Sequence, residues 1–328
     1  STKDLLAAGL PGSWASPRSF NNEIGVPLTV LGTPDDARYL VAEVGSRGPG
    51  HISFLMPAVR PDVAVITNLG VVHLETFGTT DDLADAKYEL VDALGPSGYA
   101  VVPEDEPRLH RNHPNSLTFG IESAADVQVS DVAIDECGYP SFRIRCAWGS
   151  AEMKLAVAGA HQVLNAAAAF GAGLVLGVDF ATLAQGLESA SGSPWRMEIH
   201  RGRYTVVNDA YNANPDSMEA AMRTVAAMPG RHLAVLGTMA ELGPLEESEH
   251  RRIGELAAEL GFAAVVTVGD EPGIASAAGP IGRNVPDVET AQTVIERLLR
   301  DGDVVLVKAS RAIGLETVAL RLAAGAST

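Results

Sequence analysis

Short, mostly apolar runs rich in β-branched residues alternate with longer helical runs through the first half of the chain. Residues 40–44 and 63–67 are typical of buried parallel strands, because each run is followed by a glycine-containing loop. Residues 81–94 predict a helix, and residues 99–102 predict the next strand. This alternation favours an α/β unit with a mostly parallel sheet.

The pattern then changes to alternate apolar and polar positions around turns. Residues 127–129, 142–145 and 153–155 have this period of two, which predicts a small antiparallel patch. Residues 160–177 follow as an alanine-rich helix that Gly177 ends.

A second α/β unit begins after the Ser-Gly-Ser-Pro segment at residues 191–194. It has strands at 204–208, 233–236, 264–268 and 304–307 and helices at 215–228 and 246–260. This order predicts a Rossmann-like domain with right-handed crossovers. We therefore expect two domains, residues 1–199 and 200–328, which agrees with about 150 residues per domain.

Composition narrows the class of protein. A hydrophobic fraction of 46% with 20% charged residues describes a globular chain, and the longest apolar runs are shorter than a membrane span. The net charge of −17 opposes general binding to nucleic acid or to anionic membrane surfaces, although it leaves room for a local basic pocket. Two cysteines, Cys137 and Cys146, are too few for a disulfide or zinc framework, so we expect a cytoplasmic protein with buried or half-buried thiols.

Polar residues follow several of the predicted strands, where ligands bind in open parallel sheets. In chain order they are Glu43, Asn68 and His73, Asp209, and the cluster Lys308, Ser310 and Arg311. Because the cluster is cationic within an acidic protein, it favours an anion site.

Glu43 and His73 offer an oxygen and a nitrogen ligand at neighbouring strand ends, which suits Mg²⁺ shared with substrate phosphates. A cap or salt bridge for Glu43 and an ordinary loop hydrogen bond for His73 are the alternatives. Lys87, on the following helix, is either a solvated lysine or a metal-site residue. The second role requires loss of its charge, for example as a carbamate, and hence a lowered pKa.

Four further positions admit both a binding and a structural role. His161 and Asn165 share one helix face and either present a polar edge to an adenine or pair with each other. Arg196, at the predicted hinge, either reaches a ribose or phosphate or forms an ion pair between domains. Asn214 caps the helix that Pro215 begins, and an anion role at that helix start, shared with Asn212, is additional.

Several strings along the chain carry a family resemblance. They are residues 21–29 (Asn-Asn-Glu-Ile-Gly-Val-Pro-Leu-Thr), 43–45 (Glu-Val-Gly), 66–70 (Ile-Thr-Asn-Leu-Gly), 73–78 (His-Leu-Glu-Thr-Phe-Gly), 86–89 (Ala-Lys-Tyr-Glu), Asn165, 209–215 (Asp-Ala-Tyr-Asn-Ala-Asn-Pro), 239–243 (Met-Ala-Glu-Leu-Gly) and 308–311 (Lys-Ala-Ser-Arg). Together they resemble the Mur ligases, the ATP-dependent amide-forming enzymes of peptidoglycan precursor synthesis. The resemblance covers essentially the whole chain, and two strings, 73–78 and 211–215, favour the branch that adds D-alanyl-D-alanine.

The resemblance implies a two-step reaction. ATP phosphorylates the terminal carboxylate of a UDP-N-acetylmuramoyl tripeptide, and the amine of D-alanyl-D-alanine displaces phosphate from the acyl phosphate to form the amide. ATP and Mg²⁺ are the implied cofactors. The implied protein is a cytoplasmic monomer that binds these substrates and neither nucleic acid nor a membrane.

The resemblance also implies roles for individual residues. Glu43 and His73 would bind Mg²⁺, and Lys87 is the position that is carbamylated in relatives; these three are the implied catalytic and metal residues. Asn22 would lie near the phosphates, while adenine or ribose would contact Asn165, Arg196 and Asp209. The last domain would close over the nucleotide with Asn212, Asn214, Lys308, Ser310 and Arg311.

One departure from the family pattern changes the expectation. The family's N-terminal substrate domain and its phosphate-binding Gly-x-x-Gly-Lys-Thr loop are not in the printed sequence, and residues 1–4 match the residues just after that loop. We therefore expect this chain alone to be inactive. Two alternatives remain, a non-catalytic nucleotide- or partner-binding module of the same fold and a ligase similar to folylpolyglutamate synthase.

Overall fold

A computed structural model describes residues 1–17, 19–70, 77–111, 113–122, 124–271 and 273–326. Two six-stranded sheets and one two-stranded sheet form the framework of these residues. The α/β class with mostly parallel sheets, predicted from the sequence, is confirmed.

The first half comprises the elements between residues 2 and 188. Its elements are α1 (Thr2–Gly9), β1 (Ser13–Ala15), α2 (Gly25–Leu31), β2 (Tyr39–Val41), α3 (His51–Val59), β3 (Val63–Val65), α4 (Thr80–Asp92), β4 (Tyr99–Pro103), β5 (Ser116–Ile121), β6 (Val127–Ile134), β7 (Pro140–Cys146), β8 (Gly149–Lys154), α5 (Gln162–Val175) and α6 (Phe180–Glu188). A 3₁₀ turn at Pro107–Leu109 precedes β5.

The larger sheet of this half has the order β3-β4-β5-β6-β7-β8. Strands β3 to β6 pair in parallel, and β6, β7 and β8 pair antiparallel, so the predicted antiparallel patch is the continuation of the parallel sheet. Strands β1 and β2 form a separate parallel pair.

The second half has the order β13-β12-β11-β14-β10-β9, parallel except for the last pair. Its elements are β9 (Glu198–His200), β10 (Thr205–Asn208), α7 (Pro215–Ala226), β11 (His232–Leu236), α8 (Glu246–Glu259), β12 (Ala264–Val268), α9 (Ile274–Ala277), β13 (Gly282–Val285), α10 (Val288–Leu298), β14 (Val304–Lys308) and α11 (Glu316–Ala326). The predicted domain boundary between residues 199 and 200 falls inside β9 and stays a prediction.

Helix α5 is the core of the first half because small residues let it approach the sheet closely. Its residues Ala166–Phe170 are fully buried. A Cβ on Gly171 would lie 2.8 Å from a methyl of Leu117, and one on Gly173 would lie 2.2 Å from a methyl of Leu183. Larger residues at these positions would push the helix away from its neighbours.

The turn between β6 and β7 joins the two halves. Tyr139 and Ala158 pack against the apolar core of the second half, which includes Met228. Gly138, at φ +83°, approaches so closely that a Cβ there would lie 2.5 Å from the Met228 methyl carbon. Apolar packing therefore connects the halves. We call residues 189–197, which join α6 to β9, the crossing segment.

The strand predicted at 40–44 is shorter than expected. It ends at Val41, because the Glu43 N–H donates to Ser16 Oγ and the Gly45 N–H donates to the Asn21 carbonyl instead of to a neighbouring strand. This turn carries Glu43 beyond the strand end. The other predicted elements are found with their ends shifted by at most five residues.

Two smaller observations complete the fold. Cys137 and Cys146 are half-buried free thiols. None of the helices in the described part of the chain combines the length and the apolar character that a membrane crossing needs.

Candidate functional site

A polar cavity of about 350 Å³ lies between the two halves. The residues that line it are Ser1, Thr2, Lys3, Glu43, Thr67, His161, Asn165, Arg196, Asp209, Tyr211, Asn212, Asn214, Ser217 and Lys308. A cavity of similar size, about 370 Å³, lies between β2 and β3 and shares Glu43, but most of its wall is apolar. The polar cavity is the candidate site because charged and amide groups from both halves converge on it.

Glu43 is oriented by two contacts from the loop that follows β1. Its backbone N–H donates to Ser16 Oγ at 3.0 Å, and its Oε1 accepts from Asn21 Nδ2 at 3.0 Å. The side-chain oxygen of Asn22 accepts the backbone N–H groups of Ile24 and Gly25 at the start of α2, and its predicted place near the phosphates stays a prediction. The neighbouring residue, Asn21, is therefore the one that holds the carboxylate.

Lys87 lies on α4 and points at the loop that follows β3. Its Nζ donates to the carbonyls of Asn68 and Leu69 at 2.7 and 2.6 Å. Burial lowers the pKa of Lys87 from 10.5 to about 8, because the charged ammonium is withdrawn from water. His73, its predicted metal partner, lies outside the described residues.

The first turns of α5 carry a chain of hydrogen-bonded side chains along the cavity wall. Thr2 Oγ1 donates to Asn165 Oδ1 at 2.8 Å, and Asn165 Nδ2 donates to Gln162 Oε1 at 3.0 Å. His161 Nε2 lies 3.0 Å from Gln162 Nε2, whereas its Nδ1 is buried with no hydrogen-bond partner among the described residues. Burial also holds the pKa of His161 below its usual range, since the imidazolium would lose solvation.

Arg196 sits in the crossing segment between the halves. Its guanidinium lies 4.3 Å from the ring centre of Tyr211, in the range of a cation–π contact, and 3.5 Å from Ser19 Oγ. Its neighbours Trp195 and Met197 have φ of 61° and 50°, a backbone region that is unfavourable for large residues. Arg196 thus stacks on an aromatic ring of the second half, and its two predicted roles stay predictions.

Asp209 and Lys308 bind each other across neighbouring strands. Lys308 Nζ lies 2.6 Å from Asp209 Oδ2 and 2.8 Å from the Asn212 carbonyl, and the lysine is only 2% exposed. Asp209 Oδ1 accepts the Met197 N–H at 3.0 Å, which ties the crossing segment to this pair. Both residues reach the cavity, but each is already held by a partner of opposite charge.

Helix α7 begins at the cavity wall. Asn214 Oδ1 accepts the Ser217 N–H at 2.8 Å, and Ser217 Oγ accepts the Asn214 N–H at 3.1 Å. This capping box, with Pro215 in the first turn, confirms the predicted cap. The positive end of the helix faces a polar cavity, which favours an anionic group there.

Ser310 and Arg311 lie beyond the cavity lining. Ser310 Oγ accepts the Ala240 N–H at 2.9 Å. Arg311 forms an ion pair with Glu316 at 2.5 Å, and its guanidinium lies 4.4 Å from the ring centre of Trp195. The cationic cluster predicted from the string 308–311 is therefore divided between the cavity and the outer face of the crossing segment.

The acidic and imidazole side chains of the cavity determine whether it can hold a metal ion. Within the described ranges no three His, Cys, Asp or Glu side chains come together as a metal-binding group. Mg²⁺, however, binds through one or two carboxylates, substrate phosphates and waters. Glu43 at the cavity wall, with one oxygen held by Asn21, fits such a partial ligand set.

Six cavity residues were not among the site residues predicted from the sequence: Ser1, Thr2, Lys3, Thr67, Tyr211 and Ser217. Lys3 Nζ donates to the Ser16 carbonyl at 2.7 Å and pairs with Asp4 at 2.9 Å. Thr67 and Tyr211 could have been identified by their positions in the sequence, because Thr67 follows β3 and Tyr211 lies within the Asp-Ala-Tyr-Asn string.

Comparison with known proteins gives consistent matches over both halves. Residues 2–173 match the model of the Mur ligase middle domain, and residues 195–311 match that of the Mur ligase, glutamate ligase domain. A UDP-N-acetylmuramoyl-tripeptide–D-alanyl-D-alanine ligase of Mycobacterium bovis is 37% identical over 99% of this chain and 71% of the relative.

Two solved structures are similar to the whole chain. MurF from Acinetobacter baumannii has a TM-score of 0.89 and 30% identity, covering 98% of this chain and 74% of that one. A MurF ligase from Thermotoga maritima, in complex with ADP, has a TM-score of 0.85 and 30% identity over 98% and 76% of the two chains.

Proposed function

The chain belongs to the Mur ligase family, and from this membership we propose that it joins D-alanyl-D-alanine to a UDP-N-acetylmuramoyl tripeptide with hydrolysis of ATP to ADP and phosphate. The observation that carries the proposal is the convergence of Glu43, Asn165, Arg196 and Lys308 on one polar cavity between the halves. These residues come from four distant parts of the chain. A site assembled from two domains suits a reaction that must bring three substrates together.

The proposed reaction has two steps. An oxygen of the tripeptide's terminal carboxylate attacks the γ-phosphorus of ATP, and ADP leaves. The amine nitrogen of D-alanyl-D-alanine then attacks the acyl carbon, loses a proton, and inorganic phosphate leaves. Little of this chemistry needs a covalent bond to the protein, so positioning and charge neutralisation account for most of the catalysis.

The residues of the cavity divide into two groups in this proposal. Asn165 and Arg196 contact the base and ribose, because an amide and a stacked guanidinium lie together near the crossing segment. The start of α7 and Lys308 lie in the second half and attract the negative charge of phosphate or carboxylate groups. Asp209 acts by holding Lys308 in place.

We propose Mg²⁺ as the metal, with Glu43 as one ligand and His73 as a second. When bound, the ion would neutralise charge on the transferring phosphate. Lys87 lies beside the loop that leads to His73, and its lowered pKa favours the neutral amine that a carbamate requires.

The test is pentapeptide formation by the full-length gene product. With UDP-N-acetylmuramoyl tripeptide, D-alanyl-D-alanine and ATP, we expect ADP release coupled one-to-one to the new amide. Glutamate in place of the dipeptide should give no product, and Glu43→Gln should lower kcat at least about a hundredfold through lost charge stabilisation. Turnover with glutamate, or nucleotide binding without turnover, would instead support one of the two alternatives.

A further inference from the structure

A buried histidine lies behind the second-half wall of the cavity. His250 is in the first turns of α8 and is completely buried. Its Nε2 accepts the Met239 N–H at 2.8 Å, and its Nδ1 lies 2.6 Å from the Glu246 carbonyl. Because the nitrogen that accepts cannot carry a proton, these contacts select the neutral tautomer with hydrogen on Nδ1.

The loop that His250 contacts, residues 237–242, is bonded to the end of β14; we call it the supporting loop. The Gly237 N–H donates to the Lys308 carbonyl at 3.0 Å, and the Ser310 N–H donates to the Thr238 carbonyl at 3.1 Å. The Ala240 N–H donates to Ser310 Oγ at 2.9 Å. Three hydrogen bonds therefore make the supporting loop and the segment from Lys308 to Ser310 one unit.

The supporting loop is also held from the core. The side chains of Met239 and Leu242 are buried in the apolar cluster of the second half. The imidazole of His250 contacts the backbone of Met239, whose side chain is one of the two buried apolar side chains of the loop. Ser310 is bonded to the residues on either side of Met239, Thr238 and Ala240. A change at His250 reaches Ser310, two residues from Lys308, through Met239 and Ala240 of the loop.

We infer that His250 is a positioning residue for the proposed site: its imidazole fixes the supporting loop, and the loop fixes Ser310 and the backbone of Lys308. The effect on nucleotide binding rests on the proposed function; the effect on the position of the loop does not. His250 touches no substrate in this account.

Two variants of similar size separate the hydrogen bond from packing. His250→Gln keeps an oxygen that can accept the Met239 N–H, whereas His250→Leu leaves this N–H buried without a partner. His232→Leu is the control, because His232 is a partly buried histidine at the opposite end of β11 that is likewise bonded to a carbonyl, that of Met228.

The first measurement is amide hydrogen exchange of the 328-residue chain, followed by mass spectrometry of peptides that cover 237–242 and 308–311. His250→Leu should raise exchange about tenfold in both peptides, and His250→Gln should return it to within about threefold of wild type. The control should leave both peptides unchanged. Faster exchange in 237–242 with no change in 308–311 would overturn the inference.

A second variant covers the case in which His250→Leu does not fold. Ser310→Ala breaks the same unit from the opposite side and leaves His250 in place, so it should raise exchange in 237–242. Unchanged exchange in this variant would equally overturn the coupling.

The second measurement is steady-state kinetics of the full-length protein. His250→Leu should raise KM for ATP about fivefold, with KM for D-alanyl-D-alanine within twofold of wild type and rescue by His250→Gln. An equal change in both KM values would contradict the positioning role. If the wild-type protein forms no amide, the proposed function fails, and the exchange experiment still decides the role of His250.

Discussion

Lys87 and Lys308 are both withdrawn from water, but their surroundings differ. Among the described residues, Lys87 in the first half donates hydrogen bonds to the backbone carbonyls of Asn68 and Leu69, and burial lowers its pKa to about 8. Lys308, in the second half, lies 2.6 Å from the Asp209 carboxylate, which compensates its charge. The first environment shifts Lys87 toward the neutral amine, and the second holds Lys308 in one position against Asp209.

The difference shows how burial alone does not decide what a lysine can do. A carbonyl accepts a hydrogen bond from the ammonium but carries no full negative charge, so part of the cost of burying the lysine's charge remains. A carboxylate offsets that cost and in exchange restricts the lysine to one position. Lys87 is therefore the lysine available for chemistry, and Lys308 is the one that organises the cavity wall.

The largest expected effect on stability comes from removing the carboxylate that lies beside Lys308. Asp209→Ala leaves Lys308 buried without its carboxylate, and should lower the free energy of unfolding by about 3–5 kcal/mol. Urea unfolding measures it. The double variant Asp209→Leu/Lys308→Met should recover most of the loss, because it removes both charges. A loss below about 1 kcal/mol in Asp209→Ala would mean that Lys308 finds solvent or another partner.

The burial of Lys87 predicts that the stability of the protein depends on pH. Between pH 8 and 10.5 the folded chain has released the Lys87 proton and the unfolded chain still binds it, so stability rises with pH in this window. Lys87→Met cannot titrate at this position. Relative to this variant, the free energy of unfolding of wild type should rise by about 1–3 kcal/mol from pH 7.5 to 10.5. Denaturant unfolding of both proteins at matched pH values measures the difference. A constant difference would place the lysine in water.

The contact between the two regions should be sensitive to a single methyl group. Gly138→Ala adds a Cβ 2.5 Å from the Met228 methyl carbon at a positive φ. We expect the free energy of unfolding to fall by roughly 1–2 kcal/mol, measured by thermal unfolding. Gly177→Ala, where φ is +79° and a Cβ meets nothing within 4 Å, is the matched control. Equal effects in the two variants would show that the turn does not pack against the second half in solution.

The smallest effect is expected at the crossing segment. Tyr211→Leu removes the ring under Arg196 and should cost about 0.5–1 kcal/mol, whereas Tyr211→Phe keeps the ring and should cost less. A double-mutant cycle with Arg196→Met isolates the coupling between the two side chains. Zero coupling energy would show that the stacking is incidental.

Most of the secondary structure could be predicted from the sequence, since strands such as Ala264–Val268 are short β-branched runs with no competing pattern. The strand near residue 40 was predicted too long. Its end depends on Ser16 and Asn21, which are more than twenty residues away and take over the backbone contacts of Glu43 and Gly45.

The candidate site was predictable in outline. Glu43, Arg196 and Lys308 were chosen as polar residues at strand ends and at the hinge, and parallel strands bring their ends to one edge. Asn21 was not predicted, because only the turn of the loop after β1 brings its amide to the Glu43 carboxylate. The place of Asn22 near the phosphates stays a prediction.

The sequence by itself determined the order of strands and helices, the family, and the polar character of the strand ends. All of these follow from local periodicity and local strings. The tertiary structure decided which polar groups satisfy one another. Lys308 meets Asp209 because β10 and β14 are neighbours in the sheet. His250 meets Met239 because α8 folds back over the loop after β11. The physical reason is that hydrogen bonds and ion pairs act over about 3 Å, a distance that only the packed fold sets between residues far apart in the chain.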